Sequence, residues 1–211
     1  MLSRKILILS ILIPIFLSCS RNNINQIIVV FESTPSLKKE QELLLNFNTH
    51  ISKRKLSELL IHQNWIDSFL IKRQLFKPLE IFIKSKEPKY IWKDQFYLDI
   101  NFTKFLYFGE HPDLVHLDMP IEFVQQWSIV EEEFQSIVHP YELKISSVSY
   151  SEAEGWYFNM ENDLRINLGS DLSNNIFKKL SLTLKYIFEK DLTPSIIDLR
   201  YKDGAALNYG K

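Results

Sequence analysis

Ile197-Asp198-Leu199-Arg200-Tyr201-Lys202-Asp203-Gly204-Ala205-Ala206-Leu207-Asn208-Tyr209 closes the chain as a strand, a turn and a second strand. Ile197, Leu199 and Tyr201 alternate with Asp198 and Arg200, so one side of the first strand suits burial and the other water. Asp203-Gly204 signals a tight turn, because glycine accepts the positive φ that a two-residue hairpin demands. The second strand is short and begins with the small Ala205 and Ala206. A last strand of this kind is expected at a sheet edge, with one row of N–H and C=O groups unpaired. Such an edge can dock an extended partner segment.

Upstream, Leu164, Ile166 and Leu168 alternate with Asp163, Arg165 and Asn167, which predicts another strand. Gly169-Ser170-Asp171 is expected to end it and cap a helix whose apolar stripe is Ile176, Leu180, Leu184, Ile187 and Phe188. Strands are predicted at Leu143 to Val148 and Gly155 to Met160, and a helix from Ile121 to Ile137 with Trp127 in its core stripe. Tyr90 to Trp92, Phe96 to Ile100 and Phe105 to Phe108 read as short strands; His111-Pro112-Asp113 and Met119-Pro120 read as loops. The first half runs from a β-rich Ile27 to Phe31 into a helix capped by Thr34 with Pro35 in its first turn. A second helix starts at Ser52 and carries Leu56, Leu59 and Leu60; strands through Phe69, Ile71 and Arg73 and through Leu79 to Lys84 follow. The expected class is α+β: a β-α-α-β-β module over residues 26–88, then a mixed α+β domain over 89–211 with an antiparallel sheet ending in an edge hairpin.

The chain has 211 residues, 45% hydrophobic and 13% aromatic, enough for a sizeable core. A net charge of -1 argues against a general nucleic-acid binder. Residues 1–20 have the layout of an export signal or membrane anchor: Arg4 and Lys5, an apolar run from Ile6 to Leu17, then Ser18-Cys19-Ser20. Two fates stand open. Phe16-Leu17-Ser18-Cys19 is a loose lipobox that would leave Cys19 lipidated, and the same segment could stay uncleaved as an anchor, although its apolar run is shorter than the roughly 20 residues that span a bilayer. Both place the bulk of the chain outside the cytoplasm.

Catalytic patterns are missing from the sequence. The five histidines are scattered, with no HExxH spacing; the five glycines form no phosphate loop; no serine sits in GxSxG. Glu131-Glu132-Glu133 reads as a solvated helix face, and the single Cys19 excludes an internal disulfide. The reading is therefore of a non-enzyme with no cofactor and no metal.

The run from Asp163 to Gly169, the helix after it and Ile197 to Ala206 together resemble the C-terminal end of the bacterial cell division family FtsQ/DivIB. The first module, through Trp65-Ile66, Ile71-Lys72-Arg73, Leu79-Glu80-Ile81 and Glu87-Pro88, resembles that family's POTRA domain. The resemblance implies a scaffold of the division septum. It would be anchored in the inner (cytoplasmic) membrane with its bulk in the periplasm, and would bind FtsB-like and FtsL-like partners and other septal proteins by strand addition to the last strand. Carried over by position, the partner-binding candidates are Tyr201, Gly204, Ala205, Ala206, Leu207 and Tyr209, with Arg165 and Gly169 on the neighbouring strand. For Tyr201 a core position continuing Ile197 and Leu199 stays open, and Arg200 is expected to pair with Asp198. The alternative reading is an envelope lipoprotein that binds a ligand or host molecule, supported by Cys19 and its flank.

Overall fold

The computed structural model describes residues 27–32, 38, 40, 42–43, 51–75 and 77–210. The proposed signal or anchor segment with Cys19, and the Thr34 cap with Pro35, lie outside the described residues. The architecture is α+β, and the chain divides into two compact units between Ser85 and Lys86.

The first unit is a three-stranded sheet with helix beside it. Its strands are β1 (Ile27–Phe31), β2 (Ile66–Lys72) and β3 (Leu79–Ser85), in spatial order β1-β3-β2. β1 runs parallel to β3 and β2 antiparallel to it, so Val29, Ile81 and Ile71 line up across one face. Leu79, Ile81 and Ile83 are buried at period two along the central strand. Helix α1 (Lys53–Ile61) starts where the Ser52 hydroxyl accepts the Lys55 amide, and it buries Leu56 and Leu60 one turn apart. Leu59, expected in the same stripe, is exposed. Lys38, Glu40, Glu42 and Leu43 are helical.

The second unit is a nine-stranded sheet with two helices. Its strands are β4 (Tyr90–Trp92), β5 (Phe96–Leu98), β6 (Lys104–Leu106), β7 (His116–Asp118), β8 (Ile145–Ser151), β9 (Gly155–Met160), β10 (Arg165–Gly169), β11 (Ile196–Asp198) and β12 (Ala206–Asn208). Their spatial order is β12-β11-β10-β9-β8-β7-β4-β5-β6. The helices are α2 (Ile121–Val138) and α3 (Asn174–Glu189). The sheet is mixed rather than wholly antiparallel: β4–β7, β7–β8 and β10–β11 are parallel pairs. In each case a long connection intervenes, which a parallel pairing requires; α2 supplies the second and α3 the third. Strand β7 was not foreseen. Three residues between two loops carry no alternation long enough to read.

Pairing register sorts the side chains into rows. Trp92, Leu117, Val148, Phe158, Ile166, Ile197 and Leu207 align across seven strands. All seven are in or against the core that also takes Val124, Trp127 and Phe134 from α2 and Ile176, Phe177, Leu180, Leu184 and Ile187 from α3. The rows on either side are mostly polar. Asp118, Ser149, Tyr157, Asn167, Asp198 and Ala206 form one, and His116, Ser147, Asn159, Arg165, Ile196 and Asn208 the other. A strand's period of two therefore gives this sheet a helix-covered face and a polar face.

Two local differences follow from packing. Phe177, not Phe188, completes the α3 stripe; Phe188 is 47% exposed and stacks on Tyr141 at 4.5 Å. The N-cap of α3 is Ser173, whose amide and hydroxyl both donate to Asp171 at 2.8 and 2.6 Å, so the Gly169-Ser170-Asp171 stretch leads in rather than caps.

Candidate partner-binding edge

The last strand pairs with β11 on one side and ends the nine-stranded order, so its other side has no strand partner among the described residues. Which of its backbone groups face outward follows from β11. The Arg165 amide donates to the Ser195 carbonyl at 2.9 Å and the Leu199 amide to the Asn167 carbonyl at 2.8 Å. With the parallel register Ile166↔Ile197, this commits the N–H and C=O of Ile197 to β10. Ile196 and Asp198 then face β12, where they pair with Asn208 and Ala206. Leu207 turns its amide N–H and carbonyl to the open side, while its side chain packs on the core. Ala206 is thus a ladder residue, and the open hydrogen-bonding position is Leu207.

The two-residue hairpin expected at Asp203-Gly204 does not form; the turn falls one residue earlier, at Lys202-Asp203. Pairing stops at Asp198↔Ala206, and residues 199–205 make a wider connection. Gly204 has no positive φ, and a Cβ on it would meet nothing within 4 Å. Side-chain and helix contacts hold the connection instead. Arg200 donates to both carboxylate oxygens of Asp198, Nε at 2.9 and 3.1 Å and Nη2 at 2.6 Å, and its own amide donates to Asp198 Oδ1 at 3.0 Å. These Arg200 hydrogen bonds hold the Asp198 carboxyl below the usual carboxylate range, although its partial burial opposes them. From α3, the Lys179 ammonium donates to the Leu199 carbonyl at 2.9 Å and also to the Tyr201 carbonyl.

The predicted residues fall into three groups. Ala205, Ala206, Leu207 and Tyr209 lie along the edge strand and its flanks, and Tyr209 is 56% exposed. Tyr201 leaves the core row and stands in solvent, 60% exposed, beside Gly204 in the connection. Arg165 lies two strands in, aligned with Ile196 and Asn208. There it covers the Tyr157 ring at 4.1 Å and donates to Asn167 at 2.8 Å and Glu154 at 3.2 Å. Gly169, at φ +83, is a seat: a Cβ there would meet Arg200 Cγ at 3.1 Å.

Sequence reasoning missed two further parts of the edge. Lys179 gave no signal, being 20 and 22 residues from the carbonyls it holds. The far end of β12 is fastened by Ser195, whose hydroxyl donates to the Asn208 carbonyl at 3.1 Å and the Gly210 carbonyl at 2.7 Å, and by Asn208 Oδ1, which accepts the Gly210 amide at 2.8 Å. No group of metal-ligating side chains occurs among the described residues.

No family model matches the chain. Three proteins do, each described as cell division protein FtsQ. The match to that of Aliivibrio fischeri is 23% identical over 167 residues, covering 74% of this chain and 61% of the relative. That to Vibrio cholerae is 24% identical over 151 residues, covering 69% and 56%. Over most of its length the chain is similar to FtsQ proteins. A third member, from Acinetobacter oleivorans, is 27% identical over 104 residues, covering 47% of the chain and 35% of the relative. The chain therefore spans less than two thirds of the length of the FtsQ proteins it matches. Among the described residues no helix is long and apolar enough to cross a membrane.

Proposed function

We propose that this protein is a non-enzymatic scaffold of bacterial cell division. It is tethered at the cytoplasmic membrane through its N-terminal segment and works outside the cytoplasm at the septum. There, the open side of β12 takes a strand from an FtsB-like or FtsL-like partner. The observation that carries the reading is the outward-facing amide and carbonyl of Leu207, flanked by small Ala205 and exposed Tyr201 and Tyr209. Main-chain hydrogen bonds at such an edge supply affinity, and alternate side chains supply specificity. The first unit, with its parallel β1–β3 pair and antiparallel β2, is the POTRA-like part and contributes recruitment or contacts with other septal proteins.

The test uses Leu207→Pro, which removes the outward amide and spares the bonds of Ala206 and Asn208 to β11. With folding checked by circular dichroism, the variant should lose capture of the FtsB-like and FtsL-like proteins of the same organism; Leu207→Ala should keep it. Undiminished capture by a folded Leu207→Pro chain overturns the edge assignment. A fluorescent fusion should gather at mid-cell, and uniform envelope staining would overturn the septal role.

A further inference from the structure

We infer that Lys179 is a positioning residue for the partner edge: it sets where Tyr201 stands and where β12 begins. This rests on the strand-addition reading above. The connection between β11 and β12 has lost its ladder, since pairing stops at Asp198↔Ala206. The Leu199 amide is spent on Asn167, and the carbonyls of Leu199 and Tyr201 both turn toward α3, where one ammonium satisfies them. Between them, Asp198 clamps Arg200. The main chain at 199–201 is thus held at alternate residues by an acid on its own strand and a cation on a helix. Gly169 forms the floor beneath Arg200. With its carbonyl fixed, Tyr201 projects its ring into solvent at the head of the edge strand. Lys179 touches the partner only through this loop. Removing its ammonium frees two carbonyls at once and lets 199–205 sample conformations in which Tyr201 and the start of β12 are out of phase with a partner strand. Affinity for a site that is competent only part of the time falls by the competent fraction.

The test compares Lys179→Met, Lys179→Arg and Leu207→Pro in the full chain, titrated with the extracytoplasmic fragment of the FtsB-like protein of the same organism. Lys179→Met should weaken binding about tenfold, as expected if the loop is competent about a tenth of the time. Lys179→Arg, whose guanidinium can also donate to two carbonyls, should recover most of the loss. The amide nitrogen shifts of Arg200 and Lys202, which follow the two held carbonyls, should move in Lys179→Met while those of β8 and β9 stay put. If Lys179→Met does not fold, Lys179→Gln takes its place. Wild-type affinity in the Met variant, with binding lost in Leu207→Pro, overturns the role of Lys179 and leaves the edge standing. Wild-type affinity in Leu207→Pro overturns both.

Discussion

A Cβ placed on Gly155 falls 2.2 Å from the carbonyl carbon of Gly169, so the start of β9 lies directly on the end of β10 with no side chain between them. Gly155 also holds φ +73, a conformation that side-chain-bearing residues rarely adopt. The layering continues outward, because Gly169 in turn supports the Arg200 stem. The glycines of this region are therefore unequal in what they hold up.

Gly155→Ala should destabilise the second unit by about 4 kcal/mol or more, through backbone overlap added to left-handed strain. Gly204→Ala should stay within about 0.5 kcal/mol of wild type, since its backbone is ordinary and its surroundings are open. Urea denaturation of both variants checks the contrast. A strongly destabilised Gly204→Ala would show that the 199–205 connection needs a glycine after all.

Asp198 links the edge to pH. Arg200 lowers its carboxyl in the folded state, so below about pH 4, the usual unfolded value for aspartate, the folded chain binds fewer protons than the unfolded one. That contribution is complete above the unfolded value and disappears as pH falls through the folded one. Thermal melts from acid to neutral pH should show the wild-type advantage over Asp198→Asn shrinking steadily toward the acid end. A constant difference would mean that the carboxylate charge contributes nothing.

At the alkaline end the sign reverses. Burial pushes the Tyr97 phenol, which donates to the Glu110 carbonyl at 2.6 Å, up to about 12. Tyr90 moves further the same way, through burial and then its hydrogen bond to Glu131 at 2.5 Å. The folded state holds these protons longer than the unfolded one, so stability is full below about pH 10 and declines above it. Absorbance at 295 nm should show Tyr90 and Tyr97 ionising at higher pH in the folded chain than in urea, and the late rise should shrink by one tyrosine in Tyr97→Phe.

Trp127 is fully buried against Phe134 and Phe158, with ring centroids at 5.8 and 5.3 Å, and its indole N–H has no hydrogen-bond partner among the described residues. Trp127→Ala should cost about 3–5 kcal/mol in lost packing. Trp127→Phe keeps an aromatic and removes an unsatisfied donor, which offsets part of the volume loss, so it should cost under about 2 kcal/mol. Equal losses in the two variants would point to a hydrogen bond made by the indole in solution.

Most strands were legible because their alternation is local. Ile166 and Leu168 against Arg165 and Asn167, or Leu79, Ile81 and Ile83 along β3, declare a buried face within a few residues. The α2 and α3 stripes were legible for the same reason at helical spacing, with Phe177 and Phe188 exchanged because the two, only about 20° apart around the helix at the same flank of the stripe, differ in what packs on them. His116 to Asp118 was not legible: three residues become a strand only because β4 and β8 lie on either side.

At the candidate site, the sequence determined that the chain ends in two strands, that Asp198 and Arg200 pair, and that a small-residue strand comes last. The tertiary structure decided the rest. Hydrogen-bonding direction along β12 is inherited from β10 through β11, so whether Ala206 or Leu207 faces outward is fixed two strands away. Tyr201 leaves the alternating face because its carbonyl is held by Lys179, 22 residues earlier on a helix. Alternation is a property of neighbours in the chain, but hydrogen-bonding parity and loop anchoring are properties of neighbours in space.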